Sequence, residues 1–183
     1  MATLATIIIA FAGGFLAAIR ELPNRAIAQT QAAVQAKCYF SPQGGCTDAL
    51  IDQLAAARHS IELEGYALTS QPIADALTAA HRRGVDVTLV LDAAQTSEHR
   101  EQARKLVRAG LPVYLDARHA IADNRVILID EQVIITGTFN FTPAAESENA
   151  ENLLILRDQP QLQAAYERDF RTHLSHSQRY DGN

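Results

Sequence analysis

The sequence lacks several features that would identify the class of protein directly. Its 183 residues include no Trp, one Met and two Cys. It has no low-complexity tract and no internal repeat with a period of about 20 to 50 residues, which excludes solenoids and propellers. Nearly half of the residues are apolar and a fifth are charged, the balance of a globular domain rather than of a disordered chain.

Lysine is also scarce, and the 21 Asp and Glu residues outnumber the 16 Lys and Arg residues. Lysine occurs only at Lys37 and Lys105, and the formal net charge is −5. Non-specific affinity for nucleic acid comes from many Lys and Arg contacts to phosphate. The composition therefore argues against a protein that coats nucleic acid through bulk charge, although it allows a local basic site inside a groove.

The two cysteines, Cys38 and Cys46, are too few to form a structural zinc site by themselves. They could form one disulfide if the domain is exported to an oxidising compartment. Otherwise they are two free thiols near the start of the domain. The sequence leaves both possibilities open.

The one long apolar run lies at the N-terminus. Residues 2–19 carry no charge, and a helix of this length barely crosses the core of a bilayer. No Lys or Arg precedes the run, and the best small-x-small cleavage site, at 34–36, lies far downstream of it. We therefore favour a retained membrane anchor over a cleaved signal peptide. The predicted organisation is an apolar segment at 1–20, a linker at 21–36 and a globular domain at 37–183.

Strand and helix patterns alternate through the first part of this domain. Apolar alternation predicts strands at 37–41, 60–66, 85–91 and 112–115, and helical spacing predicts the intervening helices, the first of them capped by Thr47 or Asp48. Two further strands, at 126–129 and 133–136, form a predicted hairpin, followed by a strand at 152–156 and a helix at 159–174. This order predicts an α/β sandwich, a mixed sheet flanked by helices, with a largely parallel sheet and one antiparallel edge.

Residues 123–151, DNRVILIDEQVIITGTFNFTPAAESENAE, carry the most specific pattern. It resembles the signature of the phospholipase D superfamily, in which His-x-Lys is followed four residues later by Asp, then by Gly-Ser/Thr-x-Asn and a downstream Glu. The run at 140–146 is similar to the small bacterial endonucleases of that family, and the likeness extends over roughly residues 38–175. The matching positions are Asp130, Gly137, Thr138, Asn140 and Glu151.

The resemblance implies a phosphodiesterase that acts through a covalent phosphohistidine. One imidazole attacks phosphorus, a second protonates the leaving oxygen, and Lys and Asn hold the nonbridging oxygens. Neither a metal nor another cofactor is implied. Because this chain has one motif and the family uses two, the resemblance also implies a homodimer with the site on its two-fold axis. The substrate would be a phosphodiester of nucleic acid or phospholipid.

This sequence departs from the signature at two positions. The His position is Asp123 and the Lys position is Arg125. His119 lies four residues earlier, about 13 Å along an extended chain, and cannot take the place of the missing His. A carboxylate is a poor substitute for an imidazole nucleophile, and the planar guanidinium of Arg does not simply replace an ammonium.

The expected catalytic residues are therefore Asp123, Arg125, Asp130, Asn140 and Glu151, with Arg125, Thr138 and Asn140 binding substrate. Three hypotheses follow. Catalysis is lost or severely weakened, which we prefer. Alternatively, Asp123 acts as an unconventional nucleophile or helps to hold a metal. As a third possibility, Arg125 and Asn140 serve a non-catalytic module that binds phosphate on DNA or lipid.

The expected location is a bacterial membrane or the periplasm. Arg20 and Arg25 follow the apolar segment, and the positive-inside rule would keep the domain in the cytoplasm. The cysteine pair and the resemblance favour export instead. The orientation of the domain stays open.

The apolar segment generates a direct prediction. Deleting residues 1–20 should move the protein from the membrane fraction to the supernatant, because the only uncharged run long enough to enter a bilayer is then gone. Fractionation of cells that express either form measures this. Recovery of the full-length protein in the supernatant, with its N-terminus intact by mass spectrometry, would rule out the anchor.

Overall fold

The computed structural model describes residues 34–94 and 97–183, which are built around one mixed sheet of eight strands. The predicted anchor at 1–20 and nearly all of the predicted linker lie outside the described residues. Within the part that is described, no helix is both long and apolar enough to cross a membrane.

The elements occur in the order β1-α1-β2-α2-β3-α3-β4-β5-β6-α4-β7-α5-β8. The strands are β1 Gln35–Phe40, β2 Ser60–Gly65, β3 Asp86–Asp92, β4 Val113–Asp116, β5 Arg125–Ile129, β6 Val133–Gly137, β7 Asn152–Arg157 and β8 Gln178–Arg179. The helices are α1 Cys46–Ala56, α2 Gln71–Arg82, α3 Ser97–Arg108, α4 Pro143–Ser147 and α5 Pro160–His176.

The strand order across the sheet is β1-β7-β6-β5-β2-β3-β4-β8. The predicted mixed sheet flanked by helices is confirmed, but the prediction that it is largely parallel is wrong. Only the β2–β3 and β3–β4 pairs are parallel. Strand β1 does not join β2 but pairs antiparallel with β7, and β5 pairs antiparallel with β2. Local alternation predicts a strand but does not determine which distant strand becomes its neighbour.

Helices cover both faces of the sheet. The larger core lies between one face and helices α1, α2 and α3, which contribute buried residues such as Leu50, Leu77 and Leu106. The smaller core lies on the other face, where Phe170 of α5 packs on strand residues that include Leu128. Successive residues of β5 alternate between the two cores, as the pleat of a strand requires.

Helix α1 is capped from a distant part of the chain. The expected caps, Thr47 and Asp48, are wrong, because the helix already begins at Cys46 and its N-cap residue is Gly45. The carboxylate of Glu146 instead accepts hydrogen bonds from the backbone N–H groups of Gly45 (3.0 Å) and Thr47 (2.7 Å). Glu146 therefore fastens α4 to the start of α1, in the place where a helix favours negative charge.

The two cysteines are free thiols in the structure, so the disulfide alternative is not the one observed. Cys38 is exposed on edge strand β1, whereas Cys46 is buried at the start of α1. Burial raises the pKa of the Cys46 thiol to about 11, and the nearby Glu146 carboxylate acts in the same direction. Cys46 is therefore an inert core residue at neutral pH.

Asp130 ties the β5–β6 hairpin to the start of β2. Its carboxylate accepts hydrogen bonds from the backbone N–H groups of Arg58 (2.9 Å), His59 (2.7 Å) and Ser60 (2.9 Å). Burial raises the pKa of Asp130, but these three hydrogen bonds outweigh it and hold the pKa below its ordinary value. Its backbone lies in the left-handed region at φ 54°, which Asp and Asn tolerate better than most residues.

These contacts predict a pH-dependent loss of stability in Asp130→Asn. An amide cannot accept three hydrogen bonds as strongly as a carboxylate, so we expect a loss of about 1–3 kcal/mol at pH 7. Because the folded-state pKa is lowered, the stabilisation is present above the unfolded-state pKa and is lost as the pH falls through the folded value. Urea denaturation at pH 7 and at acid pH measures the difference.

A matched control is Asp158→Asn. Asp158 has nearly the same left-handed backbone (φ 55°) and is exposed, but its carboxylate accepts no hydrogen bond from the described chain. This variant should lose little stability at either pH. Equal stabilities of wild type and Asp130→Asn at pH 7, or a difference that does not shrink in acid, would contradict the assigned role.

Candidate active site

The candidate site lies where three antiparallel strands meet at one end of the sheet. Strand β5 starts there with Arg125, β6 ends there at Gly137, and β7 starts there with Asn152. Because neighbouring strands run in opposite directions, residues far apart in sequence come together at this end.

Arg125 is at the centre of the site and is held by three contacts. Its Nε donates to Oδ1 of Asn140 at 2.9 Å, and its Nη2 lies 2.7 Å from Oδ1 of Asp123. Its Nη1 also donates to the backbone carbonyl of Asp123 at 3.3 Å. The Arg125 side chain is 20 % exposed and that of Asp123 is 51 % exposed, so the ion pair lies at the rim with the cation on its inner side.

Glu151 fixes the loop that carries Asn140. One carboxylate oxygen accepts from the backbone N–H of Asn140 at 2.8 Å, and the other accepts from Nδ2 of Asn149 at 2.8 Å. Ser41 extends the network, because its Oγ accepts from the N–H of Glu151 (3.1 Å) and donates to the carbonyl of Asn149 (2.9 Å). The position of Asn140 is therefore set by Glu151 and, through it, by the residue that follows β1.

The Gly137–Thr138 pair determines how β6 leaves the sheet. Gly137 has φ 148°, and a Cβ at this position would lie 2.3 Å from the carbonyl oxygen of Asn152, so no other residue fits without a shift of the backbone. The Oγ1 of Thr138 accepts from the N–H of Asn152 at 3.0 Å. Thr138 thus anchors the start of β7. Thr138 is itself exposed beside the site.

The structure brings Asp123, Arg125, Asn140 and Glu151 into one chain of contacts. It does not bring Asp130 to them. Asp130 follows the opposite end of β5, where it holds backbone N–H groups of the chain that enters β2. The fixed spacing between Arg125 and Asp130 therefore corresponds to the length of β5. It does not bring Asp130 to the groups that could contact phosphate.

One buried charge behind the site was missed. Alternation in β2 places Glu64 on the face opposite Ile61 and Leu63, and Glu64 is buried because α5 covers that face. Glu64 accepts from Nδ2 of Asn124 at 2.7 Å, and its other oxygen is 3.0 Å from Nδ1 of His173. Burial raises the pKa of Glu64, and His173 and Asn124 oppose this rise.

Comparisons with known proteins place this geometry in a family. Residues 50–174 match the family model described as "Cardiolipin synthase, PLD-like domain". The phospholipase D of Rickettsia bellii is 40 % identical over 119 residues, which cover 65 % of this chain and 59 % of that protein. The mitochondrial cardiolipin hydrolase of Mus musculus is 34 % identical over 109 residues, which cover 60 % of this chain and 49 % of that protein. The matched part is thus less than two thirds of either relative.

Solved structures agree with the sequence relatives. Nuc from Salmonella typhimurium, a phospholipase D family member, superposes with a TM-score of 0.78 at 28 % identity and covers 80 % of this chain and 98 % of its own. NucT from Helicobacter pylori shares the fold, with a TM-score of 0.69 at 20 % identity over 80 % of this chain and 99 % of its own. The sequence resemblance is confirmed, and the chain belongs to the phospholipase D-like family.

Proposed function

We propose that this chain is a phosphodiesterase-family protein, endonuclease-like by descent, that still binds a phosphodiester but hydrolyses it far more slowly than its His-Lys relatives. The observation that carries this proposal is the Asp123–Arg125 ion pair, with its 2.7 Å contact, at the two positions where the family signature has His and Lys.

The ion pair removes both chemical roles of the missing imidazole. A carboxylate that is ion-paired with a guanidinium has part of its negative charge offset, which makes it a weak nucleophile. An ionised carboxylate also carries no proton to give to a leaving oxygen. Among the described residues, no imidazole hydrogen-bonds to Asp123, Arg125, Asn140 or Glu151. Among the residues that the structure describes, this site therefore contains neither an imidazole nucleophile nor an imidazole general acid.

The groups that hold phosphate are retained. Because Arg125 can only donate, the side-chain oxygen of Asn140 must face it, which leaves the Nδ2 donors of Asn140 without an acceptor in the described chain. Those donors and the guanidinium together suit the nonbridging oxygens of a phosphodiester. Glu151 contributes by positioning the Asn140 backbone.

The substrate class is a phosphodiester whose source is a nucleic acid or a phospholipid. Relatives are named phospholipase D and mitochondrial cardiolipin hydrolase, and a similar structure is the family member Nuc. Both sources present the same anionic phosphate to Arg125 and Asn140, so assays need both kinds of substrate.

We also propose that two chains form a homodimer across the site. The described residues contain one motif, and a family site uses two. Two of the exposed large hydrophobic residues flank the site: Phe40 precedes Ser41 and is 63 % exposed, and Ile121 lies two residues before Asp123 and is 62 % exposed. Apolar side chains in these places would be covered by a second copy around the two-fold axis.

The activity prediction uses the full chain and the double variant Asp123→His, Arg125→Lys. Wild type should hydrolyse bis-p-nitrophenyl phosphate, DNA and phosphatidylcholine slowly or not at all. The double variant should raise the rate by at least ~100-fold on its preferred substrate, since each tenfold gain corresponds to about 1.4 kcal/mol of barrier. A matched control, Asp158→His with Arg168→Lys, makes the same changes at exposed positions away from the site and should leave the rate unchanged.

Three outcomes would contradict the proposal that the absence of His and Lys weakens catalysis. A fast wild-type rate abolished by EDTA would indicate a metal-dependent site. A fast rate that is insensitive to EDTA but lost in Asp123→Ala would make Asp123 the nucleophile. A double variant no faster than the control would mean that the missing His and Lys are not what limits the rate.

The dimer prediction is tested by sedimentation of the full chain in mild detergent. Wild type should sediment as a dimer at micromolar concentration, and Phe40→Asp with Ile121→Asp should convert it to a monomer by placing charges in the interface. Leu162→Asp alters another exposed apolar residue, at the start of α5 and far from the site, and should stay dimeric. A monomeric wild type would overturn the arrangement.

A further inference from the structure

Three histidines form a cluster beside the proposed phosphodiester site, and none of them has a part in it. His119 lies in the loop after β4, and His173 and His176 lie one turn apart in the last turns of α5. Their ring centroids are 4.9, 5.2 and 5.6 Å apart. In the sequence, His173 and His176 look like unrelated residues of the C-terminal tail. The fold brings them to His119 because β8, directly after α5, pairs with β4.

A buried carboxylate lies against two of these rings. The Asp116 side chain is fully buried, and its Oδ2 is 2.8 Å from Nδ1 of His119 and 3.2 Å from Nε2 of His176. Its Oδ1 accepts from the backbone N–H of Arg118 at 2.8 Å. This backbone contact fixes the carboxylate plane and leaves Oδ2 directed at both imidazoles, as the supporting contacts of a metal ligand do.

The spacing of the three donor atoms suits a small cation. One ligand atom each from Asp116, His119 and His176 lies within 4.8 Å of the other two. Tetrahedral zinc, with bonds of about 2.0–2.2 Å, holds its ligand atoms roughly 3.3 Å apart. Two of the three separations, 2.8 and 3.2 Å, are imidazole–carboxylate hydrogen bonds, and a bound ion would take the place of their protons after the shorter one widens slightly. The His119 side chain is 42 % exposed and can adjust without disturbing the core.

The surroundings also favour positive charge. Glu64, Asp169 and His173 form a second group whose donor atoms lie within 4.8 Å of one another, and the ring of His173 adjoins that of His119. Together the two groups bring three carboxylates to one end of α5. An imidazole that ligates a metal does so in its neutral form and adds no charge, so a divalent cation would offset the three carboxylates.

We propose that Asp116, His119 and His176 form a site for one divalent transition-metal ion of the zinc class. Two imidazole nitrogens and one carboxylate oxygen suit zinc, nickel or ferrous iron better than magnesium or calcium, which take oxygen ligands. Three protein ligands leave a coordination position open for water. Glu64 and His173 support the site from the side and connect it, through Asn124, to the strand that carries Arg125.

This site is separate from the phosphodiester site. Val126 packs in the smaller core under α5, and Arg125, the preceding residue of the strand, therefore points to the opposite face of the sheet. The histidine cluster and Glu64, which contacts His173, lie on the α5 face. Metal binding can thus be measured whether or not the chain hydrolyses phosphodiesters.

The test is calorimetric titration of the chelator-treated full chain, in mild detergent, with zinc chloride and separately with magnesium chloride. We expect saturable binding of one zinc ion per chain and no comparable binding of magnesium. His119→Gln and His176→Gln should each weaken zinc binding by more than the ~10–100-fold typical for loss of an outer-shell partner. Zinc should also raise the melting temperature of wild type, because it binds the folded state.

Two controls separate this site from adventitious binding. His59→Gln removes an exposed histidine outside the cluster, and Cys38→Ser removes the exposed thiol; both variants should bind zinc as wild type does. His119 is in an exposed loop, so its variant should fold even if His176→Gln does not, and circular dichroism checks this. Absence of zinc binding, loss of it in Cys38→Ser, or full retention of it in folded His119→Gln would overturn the proposal.

Discussion

The guanidinium of Arg125 is the group on which the site depends. It joins Asp123, at the position of the family's nucleophile, to Asn140, on the loop after β6. The same contacts that hold the site in shape also neutralise the only group that stands in for the imidazole. Under the proposed function, the site binds phosphate through Arg125 and Asn140 but hydrolyses the ester slowly, since binding and nucleophilic attack depend on different groups.

Carboxylates that accept backbone N–H groups from distant segments position the loops around this centre. Glu151 holds Asn140, Glu146 holds the start of α1, and Asp130 holds the entry to β2. Hydrogen bonds from backbone N–H groups to an ionised acceptor are stronger than those between neutral groups, so each carboxylate fixes the segment that donates to it. A carboxylate at a motif position can therefore have a structural role, and the carboxylate of Asp130 accepts hydrogen bonds from backbone N–H groups at the opposite end of β5.

The sequence was sufficient for the family and for most elements, because those depend on local patterns and fixed spacings. The apolar runs around Asp130 predicted the hairpin, and the spacing from Arg125 to Asn140 predicted their proximity. The sequence was insufficient to predict contacts that depend on the topology of the whole fold. The pairing of β1 with β7, the cap that Glu146 provides, the burial of Glu64 and the meeting of His119 with His176 all arise from segments about 60 to 120 positions apart.

Under the proposed function, Arg125 still binds phosphodiesters, and Asp123 competes with them for its guanidinium. The most direct measurement follows the side-chain Nε resonance of Arg125 by NMR while dimethyl phosphate is added to the full chain. A saturable shift is expected, with half-saturation at a lower concentration in Asp123→Ala, because removal of the internal anion frees the guanidinium. An Arg125 resonance that does not respond to dimethyl phosphate, or weaker binding in Asp123→Ala, would contradict it.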